Sequence, residues 1–131
     1  MAAIGIKQLE RFPELSKKRQ AIAQYYDKLF HDIQTITTFN RDYTKVVPHI
    51  YVILLNDPDI RSEIQQKLEH IGIQTGIHYY PNHKLSKYKS LNFQISNVDA
   101  IFPRLLTLPL HPDLSFRDVE YVVQNLIKEL S

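Results

Sequence analysis

Hydrophobic residues in the first third of the chain recur at the spacing of α-helices. A short helix is predicted over residues 2–11 and a longer one over residues 14–32. Their apolar positions are Ala2, Ile6 and Leu9 in the first helix and Leu15, Ile22, Tyr26, Leu29 and Ile33 in the second. Pro13 is predicted to separate the two, because proline has no N–H and its ring clashes with the preceding turn. Polar, threonine-rich residues then predict a loop over 34–47.

A strand and a helix are predicted in the middle of the chain. Residues 49–55 form a continuous apolar run with β-branched side chains, which is typical of a strand covered on both faces, or nearly so. Asp57 is expected to cap the helix that follows, with Pro58 at its first position. The buried stripe of this helix is predicted to contain Ile60, Ile64, Leu68 and Ile71. Gly72 is placed to end the helix in a left-handed turn.

A second strand is predicted over residues 73–80, where two sets of side chains alternate. The core face of this strand would consist of Ile73, Thr75, Ile77 and Tyr79. The opposite face carries Gly76 and His78, and the missing side chain of Gly76 leaves room beside His78 for another backbone or a ligand. A loop with helical turns near residues 85–88 and 98–102 is predicted to follow.

The last part of the chain predicts a strand and a helix. Residues 105–110 form a short third strand, which Pro109 confines to a strand end or a sheet edge. Ser115 and Asp118 resemble the capping box that begins many helices, with Asp in place of Glu or Gln. The apolar residues of this helix are Val119, Val122, Val123, Leu126, Ile127 and Leu130. The order of elements predicts an α+β fold in one domain over residues 1–131, with a small, mainly antiparallel three-stranded sheet covered by helices.

Composition and charge argue against several classes of partner. The 131 residues carry a net charge of +2, too small to indicate nucleic-acid binding. The nearest basic cluster, Lys84, Lys87 and Lys89 around Tyr88, is expected to be a solvated loop. No apolar run approaches the roughly 20 residues that span a bilayer, and the N-terminus lacks the order of a signal peptide. The chain has no cysteine, which excludes disulfides and thiolate chemistry and favours a cytoplasmic location.

The six histidines form no recognisable metal site or catalytic set. No helix carries the spacing of a zinc site, so no metal ligand is predicted. Neither a phosphate loop nor the nucleophile elbow of serine hydrolases occurs in the sequence. Two histidines lie where an apolar run meets a proline, His78 shortly before Pro81 and His111 next to Pro112. Strand ends of this kind expose polar groups to ligands. A purely structural role for His78 is equally compatible with the sequence.

Four segments in the right order resemble the C-terminal part of the DegT/DnrJ/StrS-type sugar aminotransferases, which are fold type I enzymes. The segments are residues 2–9, residues 19–26, Gly76-Ile77-His78-Tyr79 with Pro81 and His83, and Leu106 to Pro112 with Ser115 and the helix around Val122-Val123. Each motif is short and mostly structural. Their order and separations together carry the resemblance, which runs over nearly the whole chain.

The resemblance implies a homodimeric enzyme that uses pyridoxal 5′-phosphate to transfer an amino group, usually from glutamate, to the keto group of a nucleotide-linked sugar. In this family the Schiff-base lysine, the carboxylate for the pyridine nitrogen and the phosphate cradle lie upstream of the matching region. The resemblance therefore implies no catalytic or cofactor-binding residue here, and no cofactor bound to this chain alone. It makes Gly76, His78, Tyr79 and His83 candidates for the substrate side of the cleft or for an interface.

The resemblance also predicts partners. The chain matches about the last third of such an enzyme, so it is expected to be an excised piece, a truncated gene product or half of a split enzyme, and inactive alone. The helices in residues 1–33 would join it to the cofactor domain. Without that domain Ala2, Ile6 and Leu9 would be exposed, which favours a dimer or a rearranged first helix. The alternative is a free-standing, non-catalytic α/β module that binds a small ligand or a protein with the His78 face.

Overall fold

Three antiparallel strands form the sheet in a computed structural model, which describes residues 2–130 apart from the side chain of Lys89. The strands are β1 (Ile36–Thr38), β2 (Tyr51–Leu55) and β3 (Leu105–Leu108). The central strand β2 pairs with β1 on one side and with β3 on the other. The described residues also contain five α-helices, so the predicted α+β fold with a three-stranded antiparallel sheet is confirmed.

The strand predicted over residues 73–80 does not form. Of these residues only Gly76 joins the sheet, through a bridge in which Gly76 N donates to Thr107 O (2.9 Å) and Thr107 N donates to Gly76 O (2.8 Å). Alternating side chains suit the pleated surface of a sheet, but a segment forms a strand only where a neighbouring strand can hydrogen-bond with it. The remaining strand is β1, inside the predicted loop. It lies at the sheet edge, where the branched, polar side chain of threonine is well suited.

A single helix, α1 (Ala2–Phe30), replaces the two helices predicted on either side of Pro13. The prediction of a break was wrong because proline removes only its own N–H. The carbonyl that loses this partner lies in an exposed stretch, where water can bind it. Residues 2–14 are all exposed, including Ala2, Ile6 and Leu9, as expected from the sequence. No helix among residues 2–130 is both long and apolar enough to cross a membrane.

Helix α2 (Arg61–His70) begins later than predicted. Its N-cap position is Ile60, which makes no side-chain capping bond. Asp57 instead accepts a hydrogen bond at Oδ1 from Asp59 N (2.8 Å), which closes a turn before the helix. The proposed cap was wrong because the carboxylate satisfies this turn. Gly72 has a φ of +81°, which confirms the left-handed turn after α2.

The loop predicted to follow residue 80 does contain short helical turns. They are a 3₁₀ turn at Asn82–Lys84, α3 (Ser86–Lys89), α4 (Ser96–Ile101) and a 3₁₀ turn at Phe102–Arg104. The last helix, α5 (Phe116–Glu129), begins at the predicted capping box. Ser115 N donates to Asp118 Oδ2 (2.8 Å), and Asp118 N donates to Ser115 Oγ (3.3 Å).

The helices α1, α2 and α5 bury one face of the sheet. The strand residues in this core are Ile36, Tyr51, Ile53, Leu55, Leu106 and Leu108. Tyr26 of α1 stacks on Tyr51 with ring centroids 4.6 Å apart, and its hydroxyl donates to Pro109 O (3.0 Å). Because side chains alternate along a strand, Val52 and Thr107 lie on the opposite face. Thr107 is the sheet residue that His78 contacts.

Candidate functional site

His78 lies against the bridge that ties Gly76 to the sheet. Its Nδ1 is 3.1 Å from Thr107 Oγ1, and Thr107 is buried. Its ring also fills the space beside Gly76, where a Cβ would lie only 2.9 Å from His78 Cε1. The room predicted beside Gly76 is therefore taken by the imidazole itself. The bond at Nδ1 leaves Nε2 as the ring nitrogen that a ligand would meet.

An open cavity of about 480 Å³ lies beside His78. Its walls include His49, Gln74, Gly76, His78, Thr107 and Pro109. They combine imidazole, amide and hydroxyl groups with apolar surface, which is the usual composition of a small-molecule pocket. The cavity is therefore large enough, and chemically varied enough, to take a polar ligand of moderate size.

Tyr79 is 70% exposed, so the prediction that it faces the core was wrong. The alternation ends at the single bridge of Gly76, beyond which the backbone leaves the sheet. The rings of His78 and Tyr79 meet edge to face with centroids 5.0 Å apart, and the peptide bond between them is cis. Tyr79 also borders an apolar cleft of about 230 Å³, together with Val98 and Ile101. Its ring and hydroxyl are thus open to a ligand or to another protein surface.

His83 belongs to a polar cluster with Lys84 and Asp99. Its side chain is only 8% exposed, and its Nε2 is 3.1 Å from Asp99 Oδ1. Lys84 Nζ is 2.7 Å from the same oxygen. Hydrogen bonds from Lys84 and His83 hold the pKa of Asp99 below its usual range. Tyr80 and Phe93 help to line a cavity of about 340 Å³ beside this cluster, and His83, Lys84 and Asp99 form part of its wall.

The ring of Phe102 connects this cluster to α2. It packs perpendicular to the Tyr80 ring with centroids 5.4 Å apart, and Lys84 Nζ lies 5.8 Å from its centroid. The guanidinium carbon of Arg61 lies 4.8 Å from the same ring. Arg61 Nη1 also donates to the carbonyl oxygens of Phe102 and Leu105. These contacts could not be predicted from the sequence, because no motif or spacing relates residues so far apart along the chain.

The structure thus brings three of the four candidates, Gly76, His78 and Tyr79, into direct contact and places His83 in a second cluster with Asp99. The role of all four at a substrate site or an interface stays a prediction. Within residues 2–130, no group of three or more His, Asp or Glu side chains could hold a metal ion. The basic residue Lys84 is occupied by its ion pair, and the side chain of Lys89 lies outside the described part of the chain.

Lys18, which borders a cavity in the described part of the chain, does not have the character of a Schiff-base lysine. That role needs an amine that loses its proton readily. A hydrogen bond to Glu14 instead raises the pKa of Lys18.

A protein-family model matches nearly the whole chain. The model of the DegT/DnrJ/EryC1/StrS aminotransferase family matches residues 1–127. Among curated proteins, the UDP-4-amino-4,6-dideoxy-N-acetyl-beta-L-altrosamine transaminase of Campylobacter jejuni is 33% identical over 134 residues. That alignment covers 98% of this chain and 35% of the enzyme. The chain thus spans about a third of the length of the curated relatives that it matches.

Solved structures share the fold over the same extent. PseC of Helicobacter pylori, an aminotransferase involved in the biosynthesis of pseudaminic acid, matches with a TM-score of 0.89 and 27% identity, over 97% of this chain and 36% of that one. The putative sugar aminotransferase Spr1654 of Streptococcus pneumoniae, in its apo-form, matches with a TM-score of 0.88 and 31% identity, over 98% and 34%. Spr1654 has also been solved in PMP and PLP forms. Each similarity concerns one part of a larger protein.

Proposed function

This chain belongs to the DegT/DnrJ/EryC1/StrS aminotransferase family, and from that premise we propose that it forms the C-terminal part of a nucleotide-sugar aminotransferase. The complete enzyme would use pyridoxal 5′-phosphate to move an amino group, with glutamate as the donor, to a keto group of a nucleotide-linked sugar. The match of the family model to residues 1–127 carries the proposal. Relatives named as transaminases of UDP- and dTDP-linked sugars support the substrate class.

In this proposal a cofactor domain outside these residues supplies the reactive lysine, either on a longer polypeptide or on a partner chain, and the assembled enzyme is a homodimer. The lengths of the relatives support this need for a further domain. The first half of α1 supports it too, because Ile4, Ile6, Leu9 and Phe12 are each more than half exposed. A helical stretch as short as residues 2–14 is only marginally stable in water by itself, so a covering surface would stabilise it.

We assign Gly76, His78, Tyr79 and His83 to the substrate side of the cleft. His78 would offer Nε2 to a polar group of the sugar, since Thr107 engages its Nδ1. Tyr79 would offer an exposed ring and hydroxyl, and His83 would act from a position fixed by Asp99. These side chains would bind and orient the substrate, and the bonds of the amino group would be made and broken on the cofactor domain.

A chimera tests the proposal. The chain replaces the matching third of the C. jejuni transaminase, and formation of the amino sugar from the corresponding UDP-linked keto sugar is measured with glutamate and pyridoxal phosphate. We expect the chimera to transfer the amino group and the chain alone to transfer none. His78→Ala in the chimera should raise KM about tenfold, which corresponds to roughly 1.4 kcal/mol of lost binding. Gln124→Ala, an exposed change on α5, serves as the control.

Two outcomes would contradict this function. Amino transfer by the purified chain without a companion protein would show that the reactive apparatus lies within it. Borohydride reduction with pyridoxal phosphate, followed by mass spectrometry, would then locate the modified lysine. If the chimera folds and binds the cofactor but transfers no amino group, the proposed reaction on the sugar is wrong. That outcome would favour the alternative of a non-catalytic binding module.

A further inference from the structure

Residues 82–104 form a segment outside the sheet, called the excursion below, that hydrophobic packing holds only weakly. Of the residues there that the structure describes in full, none is buried, although the His83 side chain itself is largely covered. The excursion begins after the buried residue Pro81 and ends before Leu105, the first residue of β3. Because apolar burial is the main non-directional stabilising effect, a segment with so little of it needs specific contacts to hold one position.

Two arginines tie the end of this excursion to the core. Arg104 Nε donates to Leu55 O in β2 at 2.6 Å. Arg61, the first residue of α2, donates through Nη1 to Phe102 O and, at 3.3 Å, to Leu105 O. Its guanidinium also lies over the Phe102 ring, 4.8 Å from the centroid. Arg61 therefore restrains both the backbone and the ring of Phe102, whereas Arg104 makes one backbone bond.

The Phe102 ring carries this restraint to the polar cluster. Lys84 Nζ lies 5.8 Å from the centroid of this ring, and the Tyr80 ring packs perpendicular to it with centroids 5.4 Å apart. Lys84 then pairs with Asp99 at 2.7 Å, and Asp99 binds His83 Nε2 at 3.1 Å. Each step from α2 to His83 is thus a direct contact between neighbouring groups.

We propose that Arg61 is a positioning residue for the candidate site: it fixes Phe102 and thereby sets the positions of Lys84, Asp99 and His83, without touching a ligand itself. The Nε of Arg61 is buried and has no hydrogen-bond partner among the described residues. Leaving this buried N–H without a hydrogen bond costs folding free energy, which the contacts of Arg61 with the carbonyl oxygens and the ring offset. The inference rests on the proposed function only for its effect on substrate binding, since the restraint on the cluster exists without it.

The chemistry of this contact calls for arginine rather than for any cation. A planar guanidinium can stack on a ring while its N–H groups donate to carbonyl oxygens. Lysine at the same position would keep the charge but lose the planar fork. Arg61→Lys therefore separates the geometry of the contact from its charge, and Arg61→Gln removes both.

The test is a ¹³C NMR titration of the Asp99 carboxyl group in the purified chain, compared among wild type, Arg61→Lys, Arg61→Gln and Arg19→Gln. Arg19 is a matched control, because its Nη1 donates to the carbonyl oxygen of His49 at 3.3 Å, outside the excursion. We expect the pKa of Asp99 to move towards its usual value in both Arg61 variants and to stay lowered in the control. The ring protons of His83 should shift as well, while those of His78 keep their positions.

An Asp99 pKa that is as low in folded Arg61→Lys as in wild type would overturn the inference, because geometry would then not matter. If the Arg61 variants do not fold, Phe102→Leu removes the ring and keeps the test: an unchanged Asp99 pKa in that variant would overturn the inference too. In the chimera, Arg61→Lys should raise KM for the keto sugar several-fold with kcat little changed. If the proposed function is wrong, the effect on KM will not be seen, but the effect on the pKa of Asp99 will remain.

Discussion

The imidazole of His78 stands where a side chain on Gly76 would otherwise project. A Cβ on Gly76 would lie 2.9 Å from His78 Cε1, which is closer than carbon atoms that are not bonded approach, and 3.4 Å from His78 Nδ1. Gly76 is thus required by a side chain two residues later and not by a left-handed backbone, which among the described glycines occurs at Gly72. The same packing holds His78 Nδ1 against Thr107 Oγ1.

Gly76→Ala is therefore expected to displace the His78 ring and break its bond to Thr107. Strain of this kind typically costs about 1–3 kcal/mol of folding free energy. The measurement is the unfolding free energy in urea, together with the NMR signals of the His78 ring. Gly5→Ala is the control, because nothing lies within 4 Å of its Cβ and a helical alanine should stabilise α1 by about 0.5–1 kcal/mol. Unchanged His78 signals in Gly76→Ala would show that the contact is not tight.

Three buried tyrosines predict a loss of stability at alkaline pH. Burial raises the pKa of Tyr26 and Tyr51, and it raises the pKa of Tyr43 to about 12. In the unfolded chain these hydroxyls have pKa values near 10, so they contribute full stability below about pH 10 and lose it as the pH rises further. We expect the free energy of unfolding in urea to fall as the pH rises from about 10 to about 12.

Tyr51→Phe should make this fall less steep, because one titrating group is removed. The change should also cost about 1 kcal/mol at neutral pH, since the Tyr51 hydroxyl donates to Asp27 Oδ1 at 2.6 Å. Phe30→Leu changes the same aromatic stack without removing a hydroxyl, and it should lower stability equally at every pH. A wild-type stability that is constant over the alkaline range would refute the assignment.

The ion pair between Lys84 and Asp99 predicts the titration of that carboxyl group. Hydrogen bonds from Lys84 and His83 lower the pKa of Asp99, so the interaction is present above the usual Asp value of about 3.9 and disappears as the pH falls through the folded value. Lys84→Gln should therefore bring the pKa of Asp99 most of the way back to its usual value. Lys87→Gln, a neighbouring change on α3, should leave it lowered, and equal effects of the two changes would indicate general charge screening.

Local signals decided which elements of the fold could be predicted. The capping box of Ser115 and Asp118 and the left-handed Gly72 depend on residues close in sequence, and both were found as predicted. Whether a segment forms a strand depends instead on the neighbouring strand with which it pairs. Residues 73–80 have the alternation of a strand but gain a single bridge, whereas the polar residues of β1 gain a full neighbour in β2.

The candidate site divides in the same way. Gly76 and His78 could be predicted to lie side by side because they are two residues apart along an extended backbone. Their anchor, Thr107, lies 29 positions from His78, and the contact between Arg61 and the carbonyl of Phe102 spans 41 positions. Neither contact leaves a period or a motif in the sequence, so only the folded chain brings these residues together.

The passage of α1 through Pro13 gives the last prediction, Pro13→Ala. If the helix is continuous, alanine restores an N–H to the helical ladder and removes a residue that is about 3 kcal/mol less favourable than alanine inside a helix. Helicity measured by circular dichroism should rise, and the backbone amides around residue 13 should exchange more slowly with solvent. The midpoint of global unfolding should change little, because residues 2–14 are all exposed and add little to the core.

Lys17→Ala is the control for this change, because it introduces alanine at an exposed position of the same helix without altering a backbone donor. It should leave amide exchange around residue 13 as it is. A continuous α1 leaves room for only a slight rise in helicity, so a large rise in Pro13→Ala would mean that the wild-type chain breaks at the proline, as the sequence pattern alone predicts. The distinction matters for function, because a continuous α1 fixes the direction in which Ile6 and Leu9 extend from the domain. The surface that the proposed cofactor domain would cover is then set by the helix itself before the two parts meet.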